Sequence, residues 1–210
     1  MGINESIFIT WALMSIRMTT PILFAALGGL LTSRAGVFNL ALEGMMLTGA
    51  FFGYYGALKS GNPFTGLLIA LFFGLVLGLF FAYFSVTLNV NQVITCIGIN
   101  IIALGLTSYF SRVLLTGSQV VVAPTFKEIH IPGLLVVVIN WFLFKTTIGL
   151  NLRAIGDDAR ACRTVGINVD LYRYLAIIAS GALASIGGAY LTTVAVNRFL
   201  ENIVSGRGWI

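Results

Sequence analysis

Long apolar runs separated by short polar stretches dominate this chain. A helix that crosses the hydrocarbon core of a bilayer, about 30 Å thick, needs about 20 mostly apolar residues. Runs of this kind predict six transmembrane or re-entrant helices, over residues 7–31, 37–58, 64–88, 92–115, 131–148 and 174–196. The runs do not alternate apolar and polar positions as the strands of a membrane barrel would. The pattern therefore predicts an all-α, polytopic membrane protein.

The composition supports a membrane location. Of the 210 residues, 58% are hydrophobic and only 9% are charged, and the mean hydropathy is +0.98. Soluble domains carry about 25% charged residues, so this chain cannot cover a water-facing surface with charge. We therefore exclude a soluble enzyme and a nucleic-acid-binding domain, and expect a multi-pass protein of the cell membrane whose surroundings are lipid.

The charged residues predict an orientation. None lies between Lys59 and Arg112, whereas seven of the nineteen lie within 153–173. Because Lys and Arg accumulate in short cytoplasmic loops, residues 149–173 are expected on the cytoplasmic side and the N-terminus outside. The only histidine, His130, falls in the longest outer loop and is interpreted as an ordinary loop residue.

Glu43 is the most unusual residue, because a carboxylate inside an apolar segment is costly unless it finds water or a partner. One interpretation places Asn39–Gly44 near the cytoplasmic interface, with Glu43 solvated or paired with Arg34. The other is a broken or re-entrant helix that lines a polar path, which Gly36, Asn39 and Gly44 would favour. The residues alone leave both open.

Amide side chains form a second polar set. Asn91 and Gln92 lie where the third and fourth apolar segments meet, so a simple turn is one explanation for them. Asn100, one or two turns further on, is placed to face the interior of a helix bundle. Neutral amides can bind a sugar or a base without the cost of a buried charge. These residues are therefore candidates for a substrate path.

The charged segment 151–168 is the third candidate. Arg153, Arg160 and Arg163, with Asp157 among them, lie one or two helical turns apart. Gly156 and Gly166 are expected to bracket a short helix of about nine residues. Such a helix could rest on anionic lipid or dock into a groove on a soluble partner, and its compactness favours docking.

Some chemistry is missing from the sequence. There is no Gly-x-x-x-x-Gly-Lys-Ser/Thr loop, so any ATP would be bound by another subunit. No His, Cys and carboxylate cluster has metal-ligand spacing, and nothing indicates a cofactor. Small residues recur at Gly74 and Gly78 and from Gly181 to Gly188, which predicts helices packed backbone to backbone.

Several runs, in order along the chain, resemble the permeases of ABC importers for nucleosides and simple sugars. The runs are Ser33-Arg-Ala-Gly-Val-Phe-Asn-Leu-Ala-Leu-Glu-Gly-Met-Met, Thr87-Leu-Asn-Val-Asn-Gln-Val-Ile, Gly149-Leu-Asn-Leu-Arg-Ala-Ile-Gly, Val165-Gly-Ile-Asn-Val, Ser180-Gly-Ala-Leu-Ala-Ser-Ile-Gly-Gly-Ala-Tyr-Leu and Ser205-Gly-Arg-Gly-Trp-Ile. Ser33 and the pair Asp158-Ala159 depart from the family pattern. Family members also continue through further membrane segments beyond the position of Ile210.

The resemblance implies a single membrane permease domain over 1–210 that transports substrate but does not hydrolyse ATP. It implies three partners: a cytoplasmic ATP-binding subunit, a second permease that is homologous or identical, and an extracellular or periplasmic substrate-binding protein. It puts Asn39 and Glu43 at the Asn and Glu of the family signature, near the substrate path, and Gly156 and Asp157 at the glycine and acidic residue of the loop that couples to the ATPase. Arg153, Arg160 and Arg163 would flank the ATPase contact. The residues themselves complete the two candidate sets, with the amides Asn91, Gln92 and Asn100 for the path and Asp158 for the loop.

Three alternatives remain. One is a branched-chain amino acid or monosaccharide permease of a related importer, and a second is an assembly subunit that does not itself transport. The third is a secondary transporter or channel without an ATPase, for which Glu43 is the one candidate ion site within the membrane.

Overall fold

The structure, a computed structural model, describes residues 2–115 and 132–209. In this part of the chain the regular structure is helical. The helices are α1 (Gly2–Arg34), α2 (Leu42–Ser60), α3 (Pro63–Ala82), α4 (Gln92–Leu115), α5 (Pro132–Lys145), α6 (Thr147–Asp157), α7 (Ala159–Thr164) and α8 (Val169–Tyr190). A π-helical turn extends α3 over Tyr83–Thr87, and another extends α8 over Leu191–Ala195. His130, expected in the outer loop, lies outside the described residues.

Four helical stretches among the described residues are long and apolar enough to cross a membrane: Met14–Arg34, Pro63–Thr87, Gln92–Leu115 and Val169–Ala195. The pair α5 and α6 would add a fifth, bent by 75° at its break. These helices confirm the all-α, polytopic prediction. The short fifth segment predicted from the sequence corresponds to α5, and the chain turns sharply after it.

α2 is less apolar than these spans, and other helices cover it. It packs against α3, α4 and α8, and fourteen of its nineteen residues are buried. A helix enclosed by protein need not be apolar on every side, which explains how α2 carries Glu43 and Thr48 in a membrane protein.

The predicted close packing of small residues is confirmed. A Cβ atom added at Gly74 would lie 2.6 Å from the carbonyl oxygen of Gly181, so α3 and α8 touch through their backbones. A Cβ at Gly188 would lie 1.9 Å from the carbonyl oxygen of Met46, which puts α2 equally close to α8. Only glycine permits these approaches, and close approach of backbones drives helix association in lipid.

The ends of α1, α6 and α8 meet at one end of the bundle. Gly156 packs against the carbonyl oxygen of Arg34, and Arg173 Nε donates to the carbonyl oxygen of Ala35 over 3.3 Å. At the opposite end, Arg112 Nε lies 3.0 Å from a carboxylate oxygen of Glu201. This separation of the two ends agrees with the alternation of loops on which the predicted orientation depends.

Candidate functional site

The connection between α1 and α2 is an interrupted helix. Residues 37–40 are not helical, Gly36 has a left-handed φ of +70°, and α2 begins only at Leu42. The connection is enclosed on one side, since Val37 and Ala41 are 2% and 0% exposed, whereas Gly36 and Phe38 are exposed. The structure thus has the helix break that one of the two interpretations requires, and the polar path of that interpretation stays a prediction.

Three of the predicted path residues satisfy the backbone of this break. Asn39 Oδ1 accepts from Ala41 N over 2.9 Å, and Gln92 Oε1 accepts from Phe38 N over 2.8 Å. Asn100 bridges the break, donating to Leu40 O over 3.0 Å and accepting from Gly44 N over 2.8 Å. Unpaired backbone groups are costly away from water, so these amides make the break possible.

The break runs from the end of the bundle toward its interior. Asn100 is eight residues beyond the start of α4 at Gln92, a rise of about 12 Å. Asn39 Nδ2 donates to Ser180 Oγ, 3.2 Å away in the middle of α8. Non-helical backbone at membrane depth is tolerated only where it is buried in protein or lines a cavity, and Val37, Asn39 and Ala41 are buried.

Glu43 is buried in the first turn of α2 and is 8% exposed. Its carboxylate accepts hydrogen bonds from Gly206 N at 2.8 Å and from Gly208 N at 2.6 Å. The positive end of the α2 dipole adds to this stabilisation. The expectation that Glu43 is solvated or paired with Arg34 is therefore wrong, because backbone amides of the C-terminal segment bind its carboxylate.

A cavity of about 280 Å³ opens beside Glu43. Its wall is largely apolar and is formed by α2, α4 and the C-terminal segment, through Glu43, Gly44, Leu47, Ile97, Asn100, Ile101, Leu104, Asn202, Gly206 and Trp209. Of the five predicted path residues, only Glu43 and Asn100 line this cavity. The structure thus brings two of the five together at one surface.

Asn91 has a different position. It is exposed at the start of α4, where its Oδ1 accepts from Val93 N over 2.9 Å. This contact satisfies a backbone amide in the first turn of the helix, as an N-cap does. Asn91 thus caps α4 away from the cavity.

The C-terminal segment 196–209 was missed as part of the site by reasoning from individual residues. It returns along α2, where Phe199, Ile203 and Val204 are buried in the same apolar cluster as Met46 and Phe51. The alternating glycines in Ser205-Gly-Arg-Gly-Trp were the available signal, since a glycine pair after a span allows close backbone approach.

Nearby Glu201 has a pKa below its ordinary value because Arg112 donates a hydrogen bond to it and adds its positive charge.

The predicted coupling segment folds as two short helices. α6 buries Leu152 and Ile155, and α7 has six residues. Asp158 caps α7, its Oδ1 accepting from Arg160 N at 2.8 Å and Ala161 N at 3.1 Å. The expected helix between the two glycines is present but shorter than nine residues, because Gly156 belongs to α6 and the chain breaks at Asp158.

Gly156 has a structural reason to be glycine. A Cβ atom at this position would lie 2.4 Å from the carbonyl oxygen of Arg34. The end of α6 therefore rests directly on the end of α1, and no larger residue fits without moving one of them.

The arginines of the segment are not equivalent. Arg153 is half-buried, with its guanidinium 4.5 Å from the centre of the Phe144 ring, which is a cation–π contact. Arg163 pairs with Asp170 over 2.7 Å at the surface. Asp157 and Arg160 are exposed. The outward surface of the segment is therefore formed by the last turn of α6 and by α7.

No metal centre is formed by the residues that the structure describes, since no group of three His, Cys, Asp or Glu side chains within 2–115 and 132–209 could hold an ion.

The chain matches the family described as "branched-chain amino acid transport system / permease component" over residues 11–209. It is 32% identical to a putative glucose ABC transporter permease of Haloferax volcanii, covering 93% of this chain and 66% of that protein. It is also 32% identical to a guanosine ABC transporter permease of Bacillus subtilis, covering 90% and 69%.

A third relative is a nucleoside ABC transporter permease of Lactococcus lactis, 29% identical over 91% of this chain and 70% of that protein. The chain spans about two thirds of the length of these relatives. No solved structure matches it. The resemblance inferred from the sequence motifs is confirmed, and the chain belongs to the branched-chain amino acid transport system permease family of multi-pass membrane proteins.

Proposed function

We propose that this chain is the membrane permease subunit of an ATP-driven importer and that it carries a nucleoside or a simple sugar into the cell. The observation that carries this proposal is the family match over residues 11–209, together with similarity to permeases named for guanosine, nucleosides and glucose. ATP would be hydrolysed by a separate cytoplasmic subunit. A second permease, homologous or identical, and an extracellular substrate-binding protein would complete the transporter.

The surface formed by α6 and α7 is the proposed contact with the ATP-binding subunit. Asp157 and Arg160 are exposed there, and Val165 is 81% exposed at the end of α7. A small core of Ile155, Cys162 and Val169 holds the two helices together. A compact helical hairpin with a charged, partly apolar outer surface is suited to docking in a groove.

The same segment is placed to transmit movement. Gly156 rests on the end of α1, and α8 begins at Val169 within the small core. A displacement of α6 and α7 by the ATP-binding subunit would therefore act directly on α1 and α8. α1 and α8 both pack against α2, and α2 lines the cavity. This route would therefore link ATP hydrolysis to the access of substrate.

The cavity beside Glu43 and Asn100 is the proposed wall of the substrate path. Its polar groups are few and its apolar area is large, as in many small-molecule sites. The other predicted path residues, Asn39, Asn91 and Gln92, would act at a distance, by holding the break between α1 and α2 and the start of α4.

Replacing Asp157 by Arg tests the coupling surface. Asp157 is exposed, so the variant should insert and fold normally, while the reversed charge should reduce ATP-dependent uptake at least about tenfold by weakening docking. Uptake of labelled guanosine or glucose in cells that express the whole transporter measures the effect. Gly156→Arg is a less informative variant, because it would also displace α6 from α1.

Lys59→Glu is the matched control, since it reverses an exposed charge at the opposite end of the bundle. We expect this variant to retain uptake and the ATP-binding subunit to co-purify with it. Normal uptake and normal co-purification in Asp157→Arg would refute the assignment of the coupling surface.

A branched-chain amino acid is the second candidate substrate. The family description and the apolar side chains of Leu47, Ile101 and Leu104 on the cavity wall favour it. Competition of unlabelled guanosine, glucose and leucine for uptake would separate the candidates, and inhibition by leucine alone would favour this second one.

A further inference from the structure

The C-terminal turn has two backbone amides that its own fold leaves free. Ser205 N, Arg207 N and Trp209 N donate to the carbonyl oxygens of Asn202, Val204 and Gly206, at 3.1, 3.1 and 3.2 Å. The intervening amides of Gly206 and Gly208 instead point to Glu43, at 2.8 and 2.6 Å. Consecutive turns with left-handed residues orient amides toward one side and form an anion-binding concavity.

The backbone of this turn fits that description. Ser205 and Gly206 have φ values of 47° and 86°, and left-handed backbone at a residue such as serine is uncommon. The carboxylate that occupies the concavity belongs to another part of the chain, 163 and 165 residues away in sequence. Glu43 thus joins the start of α2 to the turn 205–208.

Gly208 makes the contact possible. A Cβ atom at this position would lie 2.5 Å from Glu43 Cα and 2.6 Å from Glu43 N. Both are backbone atoms, so Glu43 cannot make room for a side chain here by changing its own rotamer. The turn therefore approaches α2 as closely as the backbone allows.

The turn and the residues on either side of it form part of the cavity wall. Asn202, Gly206 and Trp209 line the cavity. A Cβ atom at Gly206 would lie 3.7 Å from Trp209 Cδ1, so the indole lies against the turn. An aromatic face on an otherwise apolar wall suits stacking of a base or the apolar face of a sugar ring.

We propose that Glu43 is a positioning residue: its carboxylate holds the turn 205–208 on α2 and thereby sets Trp209 on the wall of the substrate cavity. Both carboxylate oxygens accept a hydrogen bond from the turn, and through this contact Glu43 positions Trp209. The consequence for transport rests on the proposed function, whereas the contact between Glu43 and the turn does not.

Glu43→Gln is the principal variant. The glutamine side chain has one oxygen acceptor, and its NH₂ group faces a backbone donor, so one of the two hydrogen bonds is lost and the other loses its charge. With Trp11 and Trp141 replaced by Phe, Trp209 is the only tryptophan, and selective excitation of tryptophan reports on it alone. We expect a red shift of its emission and stronger acrylamide quenching for the full chain in nanodiscs.

Glu201→Gln is the matched control. It removes a carboxylate from the same segment, but one that is paired with Arg112 at the surface, and we expect parental fluorescence. Glu43→Asp keeps the charge on a shorter stem and should restore part of the parental spectrum. Identical spectra for Glu43→Gln and the parent would overturn the proposal whether or not the chain transports anything.

Uptake gives the second readout. Glu43→Gln and Trp209→Ala should each lower uptake about tenfold. If Glu43 acts through Trp209, the double variant should be no worse than the worse single variant, because the effects are then coupled. Additive losses would overturn the proposal, since they would indicate a role of Glu43 independent of Trp209.

Should Glu43→Gln fail to fold, Gly206→Ala strains the same turn through its left-handed φ and leaves Glu43 intact. The same red shift in Trp209 emission is then expected, and parental emission would count against the proposal. Uptake can be absent from the parent and from every variant while the fluorescence still changes as expected. In that case the proposed transport function fails, and the contact between Glu43 and the turn is retained.

Discussion

At the scale of single residues, the polar side chains inside the membrane serve mainly to satisfy the backbone. Asn100 supplies both a donor and an acceptor to the break before α2. Asn39 accepts a hydrogen bond from Ala41 N inside the break and donates one to Ser180 Oγ on α8. An amide can do this without bringing a charge into a medium of low dielectric constant. The break can therefore exist at membrane depth.

Replacing Asn100 by Leu tests this role. The change leaves Leu40 O and Gly44 N without their partners and should lower the free energy of unfolding by about 2–4 kcal/mol. Chemical unfolding in mixed micelles, followed by circular dichroism, measures the change.

Asn91→Ala is the control for Asn100→Leu, because it removes an exposed N-cap and should cost only about 1 kcal/mol. Equal stability of the Asn100→Leu variant and the parent would contradict the bridging role.

The sequence singled out these polar residues but did not show what each one contacts. Their depth followed from their place within apolar runs. Their partners did not, because Leu40 O, Gly44 N and Ser180 come from elements that meet only in the folded bundle. For the same reason, the sequence could suggest Arg34 for Glu43 but not the amides of Gly206 and Gly208, more than 160 residues away.

At the scale of helices, the glycines decide how closely α2, α3 and α8 approach. Gly49, Gly74 and Gly188 each leave room for a backbone of a neighbouring helix. Dispersion contacts and weak hydrogen bonds then act over short distances in a medium where lipid offers no hydrophobic driving force. α2 depends on these contacts most, since it is buried along most of its length.

Gly188→Ala should therefore be disruptive. The added methyl group would lie 1.9 Å from Met46 O and 2.8 Å from Ala50 N, and the overpacking should cost about 3 kcal/mol or more. Thermal unfolding of the purified chain in detergent is the measurement.

Gly105→Ala provides the comparison, because nothing lies within 4 Å of its Cβ position. Alanine favours a helix over glycine by about 1 kcal/mol, so this variant should be as stable as the parent or more stable. A Gly188→Ala variant that matches it would show that α2 and α8 do not touch at this point.

Helix positions were predictable to a large degree because apolar length is a strong signal in membranes. The fourth predicted segment, 92–115, coincides with α4. The prediction was weaker where local polar residues are tolerated by packing, as at the start of α2, and where the chain bends, as between α5 and α6. These features depend on neighbours that a single segment does not reveal.

At the scale of the whole molecule, the cavity and the exposed hairpin of α6 and α7 lie on different parts of one helical bundle. The hairpin contacts α1 through Gly156 and continues into α8. The cavity lies between α2, α4 and the C-terminal segment, and α2 packs on α8. In the proposed function, α8 is therefore the element that connects ATP hydrolysis to substrate access.

The central claim is ATP-driven import through this chain, and uptake in a gene deletion strain tests it most directly. We expect uptake of labelled guanosine or glucose to be lost on deletion and restored by the parental gene. Restoration should fail when the partner ATP-binding subunit cannot hydrolyse ATP. Uptake that survives deletion of the gene, or that continues through the chain without ATP hydrolysis, would contradict the account.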